Sequence, residues 1–299
     1  MNALVPDIDY TTLGFYEPGF IHLRVNTSDD LSCLKMLATC TVSAKWVSTF
    51  FHEYIHFLQD ITSTQGLLNF IYVVEYLKNA NKQVIEGGQS DFSIPLRISN
   101  DFNCGTNTSL KTIYRGFENS ARNVSYLGYK AIKEEITASD GKKITPRKYL
   151  VKYYDNDAKT SGTCHFGSIH LKEYMAHALQ NLFAPGTTHD DIPYRLVEII
   201  VKKEFPRLAR NPALLVALCD AALMDMHPAR LFFRTLERMK ESPKRNFKDV
   251  NAVYDFAFKN VNFADGQGTK TVNSLYEDSR CSRSSLVIAA FPSPASMAA

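Results

Sequence analysis

Residues 52 to 56 of this 299-residue chain read His-Glu-Tyr-Ile-His, and the stretch around them, STFFHEYIHFLQD, holds neither proline nor glycine. Its apolar residues (Trp46, Phe50, Phe51, Tyr54, Phe57, Leu58) recur at helical spacing, which predicts a helix within residues 31–60 set in apolar surroundings. On a helix, residues i and i+4 stand one above the other, so His52 and His56 share a face. Two imidazole nitrogens placed this way can reach one metal ion at roughly 2.0–2.1 Å. Glu53 is turned from His52 by about 100°. From there its carboxylate can hold a water beside the ion without ligating the ion, as a general base does in metal-assisted hydrolysis. Histidine supplies 8 of the 299 residues. At that frequency HExxH arises by chance about 0.01 times per chain. The competing reading is a solvated helix face with accidental spacing, and the aromatic flanks leave it little surface. Two histidines and a glutamate in a buried helix would be costly without partners.

The rest of the chain predicts an α+β, mainly helical protein. In FIHLRV, Phe20, His22 and Arg24 alternate with Ile21, Leu23 and Val25, the period of a strand. A second helix is expected at 67–84, ended by Gly87-Gly88. FSIPLRI and RKYLVKYY read as short strands, with a helix at 118–135 between them and Asp140-Gly141 as a turn. A further helix is expected at 168–183, stopping before Pro185-Gly186. Beyond residue 190, RLVEIIVKKEF, PALLVALCDAALM and PARLFFRTLERMK predict three helices, with Pro212 and Pro228 at tolerated first-turn positions. The closing SSLVIAAFPSPASMAA reads as a loose tail.

Composition narrows the class. Hydrophobic residues make 45% and charged residues 22%, a globular balance. With 34 basic against 31 acidic residues, the net charge of +3 is too small to imply a nucleic-acid partner. No run reaches the roughly 18 apolar residues of a membrane span. The opening MNALVPDIDY has no basic start, apolar core or cleavage site, and the six cysteines form no CxxC pair. These features lead us to expect a cytoplasmic chain with reduced thiols. There is no GxxxxGK[ST], GxGxxG or GxSxG.

Set in its helix, the motif resembles the active-site helix of the zincin metallopeptidases, over about 20 residues. The resemblance implies Zn²⁺ bound by His52 and His56, with Glu53 as the base. It also implies a helix beside a small sheet whose edge strand holds the substrate, and FIHLRV is a candidate part of that sheet. A catalytic zinc takes a third protein ligand and keeps one position open. The metzincin extension HExxHxxGxxH is absent, since Gln59 and Thr62 stand at its glycine and third-histidine positions. The gluzincin arrangement, a glutamate on a later helix, points to Glu173 in SIHLKEYMAHALQ. There His170, Glu173 and His177 fall at i, i+3 and i+7 and form one polar stripe. Four residues past the ligand glutamate, thermolysin-like members carry a carboxylate; here His177 stands there. His177 and His170 are the candidate supports of the ligands, and with His165 and Cys164 they are the alternatives to Glu173 as third ligand.

The expected activity is zinc-dependent hydrolysis of a peptide bond, with a protein or peptide as substrate and no nucleic-acid or membrane partner. Two other readings stand beside it: a zinc hydrolase of a non-peptide amide, and a non-catalytic helical interaction protein with a structural metal site. The expected division is a zincin-like catalytic lobe at 1–190 and a helical lobe with its tail at 191–299, in one continuous domain. Among other residues, His22 and His227 read as strand-face and turn histidines, and His189 as part of a helix-cap region. Tyr114, Tyr126, Tyr129, Tyr153 and Tyr154 include possible donors to an oxyanion.

Overall fold

In the computed structural model, which describes residues 13–17, 22–26, 44–86, 102–117, 120–137, 141, 143–242, 247–265 and 268–271, two short strands come first. β1 (Gly14–Glu17) and β2 (His22–Val25) pair antiparallel, with Tyr16 opposite Leu23. Three helices follow: α1 (Ala44–Thr62), α2 (Thr64–Glu86) and α3 (Phe102–Arg115). A meander comes next, with β3 (Val124–Lys133), the small hairpin β4 (Ile136–Thr137) and β5 (Lys143–Ile144), β6 (Arg147–Asp155) and β7 (Thr160–Phe166). α4 (Ser168–Phe183) leaves β7 directly. The chain then continues as α5 (Leu196–Glu204), α6 (Pro212–Leu223), α7 (Pro228–Glu241) and α8 (Val250–Asn260), and the last described elements are the hairpin strands β8 (Asn262–Asp265) and β9 (Gly268–Thr271). The architecture is α+β and mainly helical.

The central sheet has the order β3-β6-β7, antiparallel throughout. Its inner face follows the two-residue period: Tyr149 and Val151 on β6, and Cys164 and Phe166 on β7, are all buried. Against them pack Leu215 and Leu218 of α6, and Phe232, Phe233 and Leu236 of α7. α6 is buried almost all round and forms the axis of the helical layer. The same apolar cluster takes in Leu171, Tyr174 and Met175 of α4 and Leu196 and Val197 of α5, so it runs across residue 190 without a break. Local chemistry starts the later helices where the sequence puts them. Asn211 accepts from the Ala213 N–H ahead of Pro212, Pro228 opens α7, and Asp249 accepts from the Ala252 N–H. Among the described residues, no helix is long and apolar enough to cross a membrane.

One expectation is overturned. Within the helix expected at 118–135, Val124–Lys133 instead forms the longest strand of the sheet and pairs with β6 along its length. Val124 and Tyr126 point inward while Ser125 and Leu127 are exposed, the pattern of a half-buried strand. Gly128 takes φ +139° beside a register shift between Tyr126 and Gly128, a backbone region that glycine supplies and a helix does not use. The helix expected within 31–60 is described from Ala44, and the expected helix 168–183 coincides with α4. FSIPLRI, Gly87-Gly88, Asp140 and the final tail lie outside the described residues.

Candidate metal centre

Two helices and one strand build the site. α1 packs against α4, and β1 lies across α1. The approach of β1 is close at Gly14, where a Cβ would stand 2.8 Å from Thr49 Cγ2 and 3.2 Å from Glu53 Cγ. A side chain there would push the strand off the helix. α4 is launched from the sheet at Gly167, whose Cβ would meet the Arg115 carbonyl group at 2.4 Å. α3 thus seats the start of the helix that carries Glu173.

His52, His56 and Glu173 converge. His52 Nε2 lies 3.2 Å from His56 Nε2 and 3.2 Å from Glu173 Oε2, and His56 Nε2 lies 3.4 Å from Glu173 Oε1. Donor atoms on a tetrahedral ion at roughly 2.0–2.1 Å stand about 3.3 Å apart. The triangle therefore has the size that one small divalent cation requires, and these three residues could hold one.

The outer nitrogens explain why the inner ones face each other. His56 Nδ1 is 2.9 Å from Gln59 Oε1, and His52 Nδ1 is 3.2 Å from Gln180 Oε1. An amide oxygen only accepts, so each ring carries its proton on Nδ1 and turns the Nε2 lone pair inward. Both glutamines also tie the helices together. Gln59 on α1 donates to the Lys172 carbonyl on α4 at 3.0 Å, and Gln180 on α4 donates to Ser48 Oγ on α1 at 2.8 Å. The Lys172–Asp60 ion pair, with both side chains largely buried, adds a third tie. Two lone pairs and a carboxylate gathered within 3.4 Å repel one another unless a cation lies among them.

A proton can serve as that cation. Burial pushes the His56 imidazolium down, but the Glu173 carboxylate outweighs burial and raises its pKa to about 8. Glu173 responds in the opposite sense. Burial would raise its carboxyl, and the two imidazoles, His56 foremost, hold it far below the usual carboxylate range. Glu53 stands beside this cluster, buried, with its pKa raised by burial against the lowering effect of the two histidines. A buried carboxylate of raised basicity is the proton acceptor that metal-assisted hydrolysis uses.

A cavity of about 510 Å³ reaches His52 and Glu53. Leu13 and Gly14 border it on the strand side, and Ala184, Pro185 and Thr187 on the other. The strand at its edge is thus β1, to which the expected FIHLRV strand is the hydrogen-bonded partner. His189 and Tyr194, on the segment after α4, complete the wall. They stack at 4.4 Å, and their ring centres lie 6.0 and 6.1 Å from that of His52.

The remaining candidates lie elsewhere. His170 is fully buried at the start of α4, where its Nε2 meets Cys164 Sγ at 3.0 Å and its Nδ1 accepts from the Gly167 N–H. Burial lowers the His170 pKa to about 3 and raises that of Cys164 to about 12, leaving a neutral structural pair. His165 Nε2 faces the Ile113 carbonyl. His177 hydrogen-bonds with Asn181 and stands edge-on to His189 at 5.1 Å, behind the cavity wall. Tyr129 donates to Glu237, and Tyr114 packs on His227. The tyrosine lining the cavity is Tyr194, which sequence reasoning passed over, as it did Gln59 and Gln180. The two glutamines carried a faint signal: Gln180 stands seven residues beyond Glu173 and Gln59 three beyond His56, so each shares a helix face with a ligand.

No family of known proteins matches this chain, and no curated protein or solved structure does either.

Proposed function

We propose that the chain is a zinc-dependent metallopeptidase of the zincin type, gluzincin-like in its ligands, which hydrolyses a peptide bond with Glu53 as general base. The single observation that carries this reading is the convergence of His52, His56 and Glu173 at 3.2–3.4 Å, beside a buried glutamate and an open cavity. The donor set of two neutral imidazoles and one carboxylate suits zinc. His52 and His56 would hold the ion through Nε2, and Glu173 through its carboxylate. The ion, when bound, supplies Lewis acidity for a carbonyl and brings the pKa of a water down to about 7.

The chain's own residues do the rest. Glu53 takes the proton of the attacking water on its carboxylate and passes it to the leaving amine. Tyr194, on the wall, is our candidate donor of a hydrogen bond to the substrate carbonyl. The edge of β1 at Gly14, which borders the cavity, is our candidate for main-chain groups along which an extended peptide can lie. A purely structural metal site would be closed by a fourth protein ligand. Among the described residues the cluster holds three, and the cavity reaches it. The buried free thiols of Cys164 and Cys219 fit a cytoplasmic setting.

The test is Glu53→Gln. It should keep the metal, because Glu53 is not one of the three converging residues, and lose turnover of peptides in a proteome-derived cleavage screen. Full cleavage by that variant refutes the role of Glu53. Cleavage of small amides but of no peptide by the wild type would shift the reading to a non-peptide amidohydrolase.

A further inference from the structure

Gln180 touches both the cation site and the cavity wall. It is buried on α4, two turns beyond Glu173. Its amide nitrogen donates to Ser48 Oγ at 2.8 Å and to the Ser48 carbonyl at 3.3 Å. A carbonyl only accepts, so the Ser48 contact fixes which end of the amide is which. The amide oxygen is thereby aimed at two rings at once, His52 Nδ1 at 3.2 Å and His189 Nε2 at 3.3 Å. Both ring nitrogens must carry the proton. His52 is then the Nδ1–H form, with Nε2 bare toward His56 and Glu173. His189 is the opposite, Nε2–H form, with Nδ1 left as an acceptor.

The segment that holds His189 is anchored on the sheet. Ile192 pairs with Ala121 in both directions, Asp191 accepts from the Val124 N–H at 2.9 Å, and Asp190 binds Ser120 and Arg122. Tyr194 stacks on one side of the ring and His177 stands edge-on to it. Gln59 provides the contrast. It holds His56 in the same way, but its other partner is the Lys172 carbonyl, and it does not line the cavity.

We propose that Gln180 is a positioning residue shared by the cation site and the substrate wall. One amide oxygen selects the ring form of His52 that binds the ion, and it sets His189 as a hydrogen-bond acceptor for an N–H group of the substrate. The substrate half rests on the peptidase reading given above; the half concerning ring forms stands on hydrogen bonding alone.

The test compares wild type, Gln180→Leu, Gln180→Glu, Gln59→Leu and His189→Phe as full chains. Histidine ring forms are read by nitrogen-15 NMR, and zinc affinity by competition with a chromophoric chelator. Wild type should show His189 as Nε2–H with or without zinc. Gln180→Leu should bind zinc 10- to 100-fold more weakly and release His189 from a single ring form. Gln59→Leu should lose zinc affinity by a similar factor and leave His189 unchanged. Gln180→Glu, whose carboxylate oxygen still accepts from both rings, should restore most of the affinity. A peptide hydroxamate should bind His189→Phe roughly tenfold more weakly than wild type, at unchanged zinc affinity. His189 found as Nδ1–H in wild type, or zinc binding by folded Gln180→Leu within a factor of about two of wild type, overturns the proposal. Equal hydroxamate binding removes its substrate half. If Gln180→Leu does not fold, the wild-type ring forms and Gln180→Glu decide. Failure of the wild type to bind zinc at all counts against the peptidase reading instead, because the ring form of His189 is read without the ion.

Discussion

Without an ion, the His56–Glu173 pair should make stability depend on pH in a defined direction. Burial disfavours the His56 imidazolium, yet the carboxylate 3.4 Å from its Nε2 raises the pKa from 6.5 to about 8. The folded chain then holds this proton more tightly than the unfolded chain does. The resulting stability is fully present below about pH 6.5 and is lost as pH rises through about 8. A rise of about 1.5 units corresponds to about 2 kcal/mol. Chelator-treated protein unfolded by urea between about pH 6 and about pH 9 should lose that amount across the window, and His56→Gln should lose correspondingly less. Zinc competes for the same site, so its apparent affinity should climb roughly tenfold per pH unit below about 8 and then level off. The reasoning is refuted if the chelated wild type gains stability with pH, or if it falls no further than His56→Gln.

Three further substitutions separate the ties between helices from the core. Lys172→Met strands the buried Asp60 carboxylate and should cost about 3–5 kcal/mol, while Lys172→Met combined with Asp60→Asn should recover most of it; urea denaturation of the double-mutant cycle measures both. Phe233→Ala removes a fully buried ring stacked on Tyr129 and Tyr149 and should cost about 3–5 kcal/mol. Because it lies on α7, away from the converging residues, zinc affinity of the folded fraction should stay at the wild-type value, which a chelator titration checks.

The parts of the site that were legible in the sequence are those set by helical geometry. HExxH fixes the relation of His52, Glu53 and His56 through the pitch of one helix, and Glu173 stood out as the acid of the stripe that it forms with His170 and His177. Of that stripe, Glu173 reaches the histidines, while His170 turns to Cys164. The stripe alone could not divide those roles, because facing depends on where α4 meets α1. His189 and Tyr194 were illegible for a different reason. Their place beside His52 is set by the pairing of Ile192 with Ala121, about 70 residues earlier in the chain, and such a contact leaves no periodic trace. Gln59 and Gln180 escaped because an amide carries no charge to draw notice, although it can choose a histidine's ring form. The strand at 124–133 was misread because YKAIKEE favours a helix locally, whereas pairing with β6 decides the outcome. Three of the helices after residue 190 were readable, since their apolar faces and prolines agree, whereas α8 was not singled out.

The central claim is that three side chains from two helices grip one divalent ion. Metal analysis of purified wild type beside Glu173→Ala tests it most directly. The account predicts one zinc or equivalent ion per chain in the wild type, and loss of most of it in a variant that keeps its circular dichroism. A wild type devoid of metal after purification and zinc reconstitution, or a Glu173→Ala chain that retains the ion in full, would contradict it.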